Sequence, residues 1–164
     1  MGRVEKALAG DEKYRKFFYL RKAKPDGSLP NNWQSKFGGP AWAKFGDTDY
    51  YYLHLYDPTQ ADLDWHNPEV RQELFKVINF WRSKGVHGFR FDVINVTGKD
   101  EKLVDSTGDP SQEKSLYTDT AVVHQYLKEM NRSTFGQDPD SITVGEMSST
   151  TIANSIEYSK PSEH

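Results

Sequence analysis

VHGFRFDVIN, residues 86–95, is the stretch of sequence that decides the fold. Its β-branched and aromatic residues favour a short buried strand, in which successive side chains alternate between the two faces of a sheet. Arg90 and Asp92 then lie on one face, whereas His87, Phe89, Phe91 and Val93 lie on the other. Burial of opposite charges at the tip of a strand costs free energy unless the charges are paired with each other or take part in catalysis. Barrel enzymes keep their catalytic residues at that end of the strands. The alternatives are that Arg90 and Asp92 form a structural ion pair, or that Asp92 caps the next helix. His87 is expected to be packed rather than catalytic.

Two amphipathic helices are predicted around this strand. Asn67 is suited to cap a helix that begins at Pro68, and Gly85 stands where a left-handed residue would end it. The apolar face of this first helix consists of residues at helical spacing: Val70, Leu74, Val77, Ile78 and Trp81. The second helix begins near Thr118 or Asp119, and its apolar face is formed by Val122, Val123, Tyr126, Leu127 and Met130.

SITVGE, residues 141–146, predicts a second strand that ends in a carboxylate. Strand, helix and strand in this order form a right-handed parallel unit, so both strand tips emerge at the same edge of one sheet. Asp92 and Glu146 would then face each other across strands that are about 5 Å apart. Two carboxylates in such an arrangement are the minimal machinery of a glycosidase. The alternative is that Glu146 caps the segment that follows it.

The composition narrows the classes of function. The chain has 164 residues, a net charge of -3 and no basic tract, so nucleic acid is not expected as a partner. No apolar run is long enough to span a bilayer, and Met1 to Lys6 lack the apolar core of a secretion signal; we therefore expect a cytoplasmic protein without a membrane partner. The absence of cysteine excludes disulfides and thiolate chemistry. An aromatic share of 13% fits sugar binding and ordinary core packing equally well.

Residues 1–66 predict the end of a helix followed by a small irregular unit. DYYYLHLY, residues 49–56, alternates as a strand of that unit. The rings of Trp33, Phe37 and Trp42 surround a Gly-Gly-Pro bend, and we expect them to form its core.

Several stretches together resemble a known family. GFRFDVIN, residues 88–95, resembles the nucleophile strand of the α-amylase superfamily, glycoside hydrolase family 13, and TVGE, residues 143–146, resembles its acid/base strand. NNWQSKFGG, residues 31–39, and QADLDW, residues 60–65, are similar to the domain inserted before the fourth barrel strand in oligo-1,6-glucosidases and trehalose-6-phosphate hydrolases. Three segments look closer to the trehalose-6-phosphate branch: Gln34 to Lys36, Thr59 to Asp62 and Gly145 to Thr150.

The resemblance implies an α/β fold that is part of a (β/α)8 TIM barrel. Residues 67–164 would form a partial barrel with the fourth and fifth strands and their helices, and residues 1–66 would contain the end of the preceding helix and the inserted subdomain B. The family's upstream strand with a substrate-binding His and its downstream His-Asp strand have no counterpart here. We therefore expect an internal fragment that is poorly folded and inactive alone, and whose missing partner is the remainder of the barrel.

The resemblance also implies the roles of the site residues. Asp92 would be the nucleophile that forms a covalent glucosyl intermediate, and Glu146 the general acid and then base. Arg90 would keep Asp92 ionised, and Glu146 would be protonated at rest because of the neighbouring charge and partial burial. Phe37 and Tyr56 are candidates for walls of the glucose pocket, with plain packing as an equal alternative. No metal and no cofactor is expected.

The implied reaction of the full-length parent is hydrolysis of trehalose 6-phosphate to glucose and glucose 6-phosphate. The alternatives are an oligo-1,6-glucosidase that acts on isomalto-oligosaccharides, a non-catalytic truncated relative, and a reading frame without function. Val93 resembles the small aliphatic residue of the branch that avoids α-1,4 chains. Selectivity for a phosphate requires cations near the outer sugar, and the lysines between Lys99 and Lys114 are candidates for that contact.

Overall fold

The chain forms two separate small sheets in a computed structural model that describes residues 2–160. One sheet is antiparallel, with β3 (Tyr50–Leu53) between β1 (Leu20–Lys22) and β2 (Trp42–Lys44). The other is a parallel pair, β4 (Gly88–Phe91) and β5 (Ile142–Gly145). The α-helices of the described residues are α1 (Arg3–Leu8), α2 (Glu12–Arg15), α3 (Pro68–Arg82), α4 (Pro110–Ser115), α5 (Ala121–Ser133) and α6 (Ile152–Tyr158). Within residues 2–160, no helix is both long and apolar enough to cross a membrane.

The helix before β4 forms as its sequence predicts. The side chain of Asn67 accepts a hydrogen bond from the backbone N–H of Glu69 at 2.9 Å, and Pro68 occupies the first turn. Gly85 follows the helix with a φ of +86°. Because glycine has no Cβ, it takes this left-handed angle without strain and lets the chain turn into β4.

The apolar face of α3 is only partly covered. Val70 and Ile78 are buried, as is Phe75, which the predicted face did not include. Val77 and Trp81 are 52% and 51% exposed, so their predicted burial is wrong. Periodicity places these residues on one stripe of the helix, but only part of that stripe meets another element of the described chain.

The parallel pair confirms the predicted strand-helix-strand unit. Phe91 stands opposite Gly145 in the register. The pairing continues past the strand ends, because the N–H of Glu146 donates to the carbonyl of Phe91 at 2.8 Å and the N–H of Ile94 donates to the carbonyl of Glu146 at 3.1 Å. Asp92 and Glu146 therefore leave the sheet at the same edge.

One face of this pair is open, so the prediction of a buried strand is wrong for that face. Phe89 and Phe91 pack against the core cluster beside α5. The Arg90 side chain is 61% exposed, and Ile142 and Val144 are 70% and 56% exposed. Two strands cannot close a barrel, and the face opposite the helices has no cover from the described residues.

His87 is not packed as the sequence predicts. Its side chain is 60% exposed, and its Nδ1 lies 2.7 Å from Oδ2 of Asp138. This hydrogen bond, together with one from the N–H of Asp140, lowers the pKa of Asp138. His87 thus connects the start of β4 with the turn before β5.

Three clusters of buried side chains hold the described chain together. The cluster around Trp33 and Trp42 also includes side chains from the connection after β4: Val96, Leu103 and Tyr117. A second cluster lies between α3, α5 and β4, and a third joins α1 and the segment before β1 to Val70. The antiparallel unit is therefore packed onto the chain that follows β4, and the two sheets are fixed to each other at that place.

Candidate active site

Arg90 joins the two predicted catalytic carboxylates. Its Nη2 donates to Oδ1 of Asp92 at 3.1 Å and also to Oε2 of Glu146. Because both oxygens contact one nitrogen, they lie within about 7 Å of each other. This range includes the separation of about 5 to 5.5 Å that retaining glycosidases use. The structure brings together the pair that the strand order predicts, and the catalytic roles of the pair stay a prediction.

The Glu146 side chain is 45% exposed, which agrees with the expected partial burial, and it contacts the Arg90 guanidinium. Its protonation at rest stays a prediction. The alternative that Glu146 caps the next helix is wrong. The cap of α6 is Thr151, whose hydroxyl oxygen accepts a hydrogen bond from the N–H of Asn154.

A cavity of about 540 Å³ opens beside the two carboxylates. Asp92 and Glu146 line it together with Phe37 and Tyr56. Its other lining residues come from the segment before α3 and from the turn after β4, and they include Asp62, Leu63, Trp65, Val93 and Lys99. The volume falls within the usual range of about 300 to 1,000 Å³ for small-molecule sites. In the part of the chain that the structure describes, no group of three or more His, Cys, Asp or Glu side chains is placed to hold a metal ion.

The two aromatic candidates form one wall of the cavity. Phe37 is 70% exposed, and its ring meets that of Tyr56 edge-to-face with the centroids 5.7 Å apart. The prediction that Phe37 shares the core of the unit with Trp33 and Trp42 is wrong, since only the two tryptophans are buried. Burial raises the pKa of Tyr56, and the charges of Asp62 and Asp92 raise it further. The exposed Phe37 ring, which packs against the uncharged phenol of Tyr56, is a suitable surface for a sugar.

A buried ion pair that the sequence analysis missed forms another part of the cavity wall. Lys99 is 1% exposed, and its Nζ donates to Oδ1 of Asp62 at 2.7 Å and to the carbonyl of Val96 at 3.0 Å. The other oxygen of Asp62 accepts the N–H of Leu55 at 2.6 Å. Lys99 is therefore fully engaged, and its expected role as a candidate for phosphate binding is wrong. The available signal was the acidic segment at residues 60–65, which contains no basic residue of its own.

Val93 adopts an unusual backbone conformation directly after Asp92. It has φ 42° and ψ 44°, and it starts a short 3-10 turn, Ile94–Val96, that ends β4. A β-branched residue rarely takes this left-handed conformation, and such positions concentrate at functional sites. The predicted alternation therefore stops at Phe91, and Val93 lines the cavity instead of sharing a face with Phe89.

Asn95 and Asp119 fix the chain that follows Glu146. The buried Asn95 side chain accepts the N–H of Ser148 at 2.9 Å, donates to the carbonyl of Ser148 at 2.9 Å and donates to Asp119 at 3.0 Å. Asp119 also accepts hydrogen bonds from the side chains of Thr150, Asn154 and Tyr158. The second helix begins near Thr118 and Asp119 as predicted, since α5 starts at Ala121 and Thr120 precedes it without a side-chain cap bond. The network holds the two strand exits, and therefore the two carboxylates, in one arrangement.

Comparisons with known proteins agree with these motifs. The family model for the alpha amylase catalytic domain matches residues 3–164. The trehalose-6-phosphate hydrolase of Bacillus subtilis (strain 168) is 47% identical over 151 residues, which are 92% of this chain and 26% of that protein. The oligo-1,6-glucosidase of Parageobacillus thermoglucosidasius is 41% identical in an alignment of 165 positions that covers 97% of this chain and 29% of that protein. The crystal structure of Bacillus licheniformis trehalose-6-phosphate hydrolase matches with a TM-score of 0.91 and 48% identity, over 98% of this chain and 29% of that chain.

The coverage of these matches is unequal. They include nearly all of this chain, whereas the chain spans only 26% to 29% of the length of these relatives. The family model, the motifs and the fold agree over the same residues. The chain therefore belongs to the α-amylase family and is a part of its catalytic domain.

Proposed function

We propose that this chain is the part of a retaining α-glucosidase that carries the nucleophile and the acid/base residue, and that the whole protein hydrolyses trehalose 6-phosphate to glucose and glucose 6-phosphate. The observation that carries the proposal is the contact of one arginine, Arg90, with both Asp92 and Glu146 at the edge of a sugar-sized cavity. The higher identity to a trehalose-6-phosphate hydrolase, 47% against 41% for an oligo-1,6-glucosidase, supports the choice of substrate.

The chemistry follows from the placement of the carboxylates. Asp92 attacks the anomeric carbon of the glucosyl unit while Glu146 gives its proton to the leaving glycosidic oxygen. Glu146 then deprotonates a water molecule, which attacks the same carbon and releases Asp92. The first step requires that Glu146 carries a proton when the substrate is bound. Phe37 and Tyr56 support the sugar from the opposite wall.

The same proposal assigns the two sheets to places in the barrel. In it, β4 and β5 are the fourth and fifth barrel strands, residues 67–164 form the partial barrel, and the antiparallel unit within residues 1–66 is the inserted subdomain B. The parallel register of β4 and β5 and the 48% identical crystal structure support this assignment. The open face that bears Arg90 then points to the barrel interior. The chain alone is inactive, because the other strands must complete the sugar site.

A chimeric enzyme tests the proposal. Residues 2–160 replace the matching segment of the Bacillus licheniformis trehalose-6-phosphate hydrolase, and release of glucose from trehalose 6-phosphate is measured. We expect an active chimera in which Glu146→Gln lowers kcat by about 10²- to 10⁴-fold and Asp92→Asn by at least as much. Matched controls are Asp26→Asn and Glu157→Gln, which alter exposed carboxylates outside the cavity.

Three results would contradict the proposal. The first is an Asp92→Asn chimera that keeps its activity. The second is a first-formed β-anomer of glucose in the proton NMR spectrum, since retention yields the α-anomer from an α-glucoside. The third concerns the 164-residue chain alone, for which we expect no hydrolysis; measurable glucose release would refute its expected inactivity.

An oligo-1,6-glucosidase is the second candidate, which the 41% identical relative favours. The same segment is therefore also placed in the Parageobacillus thermoglucosidasius enzyme, and rates on trehalose 6-phosphate and isomaltose are compared in both chimeras. If the segment contributes to a preference for trehalose 6-phosphate, the ratio of the two rates increases in both chimeras relative to a version with the oligo-1,6-glucosidase segment. A shift towards isomaltose in both would favour the second candidate.

A further inference from the structure

Lys36 connects the segment that carries Phe37 with the segment that follows Glu146. It directly precedes Phe37, which lines the cavity. Its Nζ lies 3.0 Å from the hydroxyl oxygen of Ser148. Ser148 is the second residue after Glu146, and its backbone is bonded on both sides to the Asn95 side chain. The Lys36 ammonium group therefore lies beside the segment that follows Glu146, and the Asn95 side chain ties this segment to the end of β4.

The charge of Lys36 is not neutralised. Within residues 2–160, Lys36 takes part in no ion pair, and the groups around its half-buried Nζ are the Ser148 hydroxyl and the face of Tyr117, whose ring centroid is 5.6 Å away. Burial lowers the pKa of Lys36, and the positive charge of Lys114 lowers it further. Both causes disfavour the charged form, and a bound anion would offset them by stabilising the ammonium charge.

The neighbouring charged residues already have other partners. Lys99, which lines the cavity, is paired with Asp62. Glu113, which precedes Lys114 on α4, accepts the backbone N–H of Gln34 at 3.0 Å. Lys36 thus directly precedes a residue that lines the sugar-sized cavity, and Lys114 acts on it as a second positive charge. Neither lysine forms an ion pair with a carboxylate of the described residues.

The position of Lys36 also agrees with the motifs. Lys36 and Ser148 come from two of the three segments that look closer to the trehalose-6-phosphate branch, and the structure brings these two segments into direct contact. A lysine ammonium is a compact charge with three donors, which suits a phosphate monoester. A neutral disaccharide would gain nothing comparable from it.

We propose that Lys36, assisted by Lys114, is a specificity-determining residue that attracts the phosphate on the outer sugar of a phosphorylated disaccharide. The inference rests on the proposed function, because a charge on the outer sugar matters only if the glucosyl unit lies between Asp92 and Glu146. It adds a residue from the antiparallel unit that acts on the substrate without acting in the chemistry.

Kinetics on two substrates in the Bacillus licheniformis chimera test this role. Trehalose 6-phosphate carries the anion, whereas p-nitrophenyl α-glucoside presents the same glucosyl bond without it. We expect Lys36→Met to lower kcat/KM for trehalose 6-phosphate by about 10- to 100-fold, mainly through KM, and to change the value for the neutral substrate by less than about 2-fold. Lys36→Arg should keep most of the phosphate preference, Lys114→Met should lose a smaller part of it, and the exposed control Lys84→Met, just after α3, should lose none.

The outcomes separate specificity from a structural role. Equal losses on both substrates with Lys36→Met would mean that the lysine only holds the loop at Ser148, and would overturn the inference, as would an unchanged preference for phosphate. Ser148→Ala removes the hydroxyl but keeps the ammonium, so it should preserve the preference. A chimera that cleaves p-nitrophenyl α-glucoside without any phosphate preference refutes the role of Lys36 and leaves the proposed hydrolase chemistry intact.

A binding measurement on the Asp92→Asn variant of the same chimera is independent of catalysis. Lysines are dimethylated with ¹³C, which keeps their charge, and the Lys36 signal is assigned by its loss in Lys36→Arg. Glucose 6-phosphate should shift this signal and that of Lys114, and glucose at the same concentration should not. Equal shifts with both sugars, or no shift with either, would contradict an anion site at Lys36.

Discussion

Substitution of Lys99 by methionine should destabilise the fold more than any change of an exposed lysine. The substitution keeps most of the side-chain volume but leaves Asp62, whose side chain is only 15% exposed, without its cation. Removal of one partner of a buried ion pair typically costs about 3 to 5 kcal/mol. Because one oxygen of Asp62 still accepts the N–H of Leu55, we expect a loss near the lower end, about 3 kcal/mol. This corresponds to a roughly 100-fold larger unfolded fraction.

Urea unfolding of the Bacillus licheniformis chimera, in which the rest of the barrel surrounds the segment, measures this loss by tryptophan fluorescence. The matched control is Lys102→Met at an exposed position, for which a change within about 0.5 kcal/mol is expected. Combining Lys99→Met with Asp62→Asn removes the orphaned charge and should recover part of the stability. A Lys99→Met midpoint equal to that of the control would refute the reasoning. Strictly additive losses in the double variant would show that the two charges are not coupled.

Two further predictions concern stability. Burial raises the pKa of Tyr117 and of Tyr126 to about 12, so the folded state holds both phenolic protons more tightly than the unfolded chain, where the value is about 10. The contribution of these two protons to stability is complete below pH 10 and is lost as the pH rises towards 12. The urea midpoint should therefore fall over that range, and it should fall less in the Tyr117→Phe and Tyr126→Phe variants. A midpoint that does not change with pH would contradict this. Gly98→Ala should cost about 1 to 3 kcal/mol, because the new Cβ would lie 2.9 Å from the backbone nitrogen of Val123. Gly88→Ala is its control, since the nearest atom there is 3.9 Å away, and equal stability of the two variants would contradict the clash.

Sequence reasoning succeeded where a local rule determines the structure. The helix Pro68–Arg82 follows from its asparagine cap, its proline in the first turn and the glycine that ends it. The parallel pairing of β4 and β5 follows from the long helical crossover between them. The meeting of Asp92 and Glu146 then required only the rule that parallel strands end at one edge of the sheet.

Burial was the part that the sequence could not determine, because burial depends on neighbours. The spacing of Val77 and Trp81 shows that they share a stripe with Val70, but does not show which part of the stripe another element covers. The pairing of Lys99 with Asp62 is a contact between residues 37 positions apart, and the acidic segment at residues 60–65 does not indicate which distant lysine pairs with it. The left-handed Val93 was equally hidden, since valine normally favours the extended strand that was predicted there.

The site belongs to neither sheet alone, and this determines which changes will affect it. The carboxylates come from the parallel pair, and the aromatic wall comes from the antiparallel unit. The chain after β4 connects the two, because its residues Val96, Leu103 and Tyr117 are buried with Trp33. A loss of volume in that cluster, such as Leu103→Ala, would therefore move the wall with Phe37 relative to Asp92 and Glu146 while the bonds between β4 and β5 stay in place. Such a change should weaken sugar binding more than it slows bond cleavage, because different contacts hold the aromatic wall and the two carboxylates.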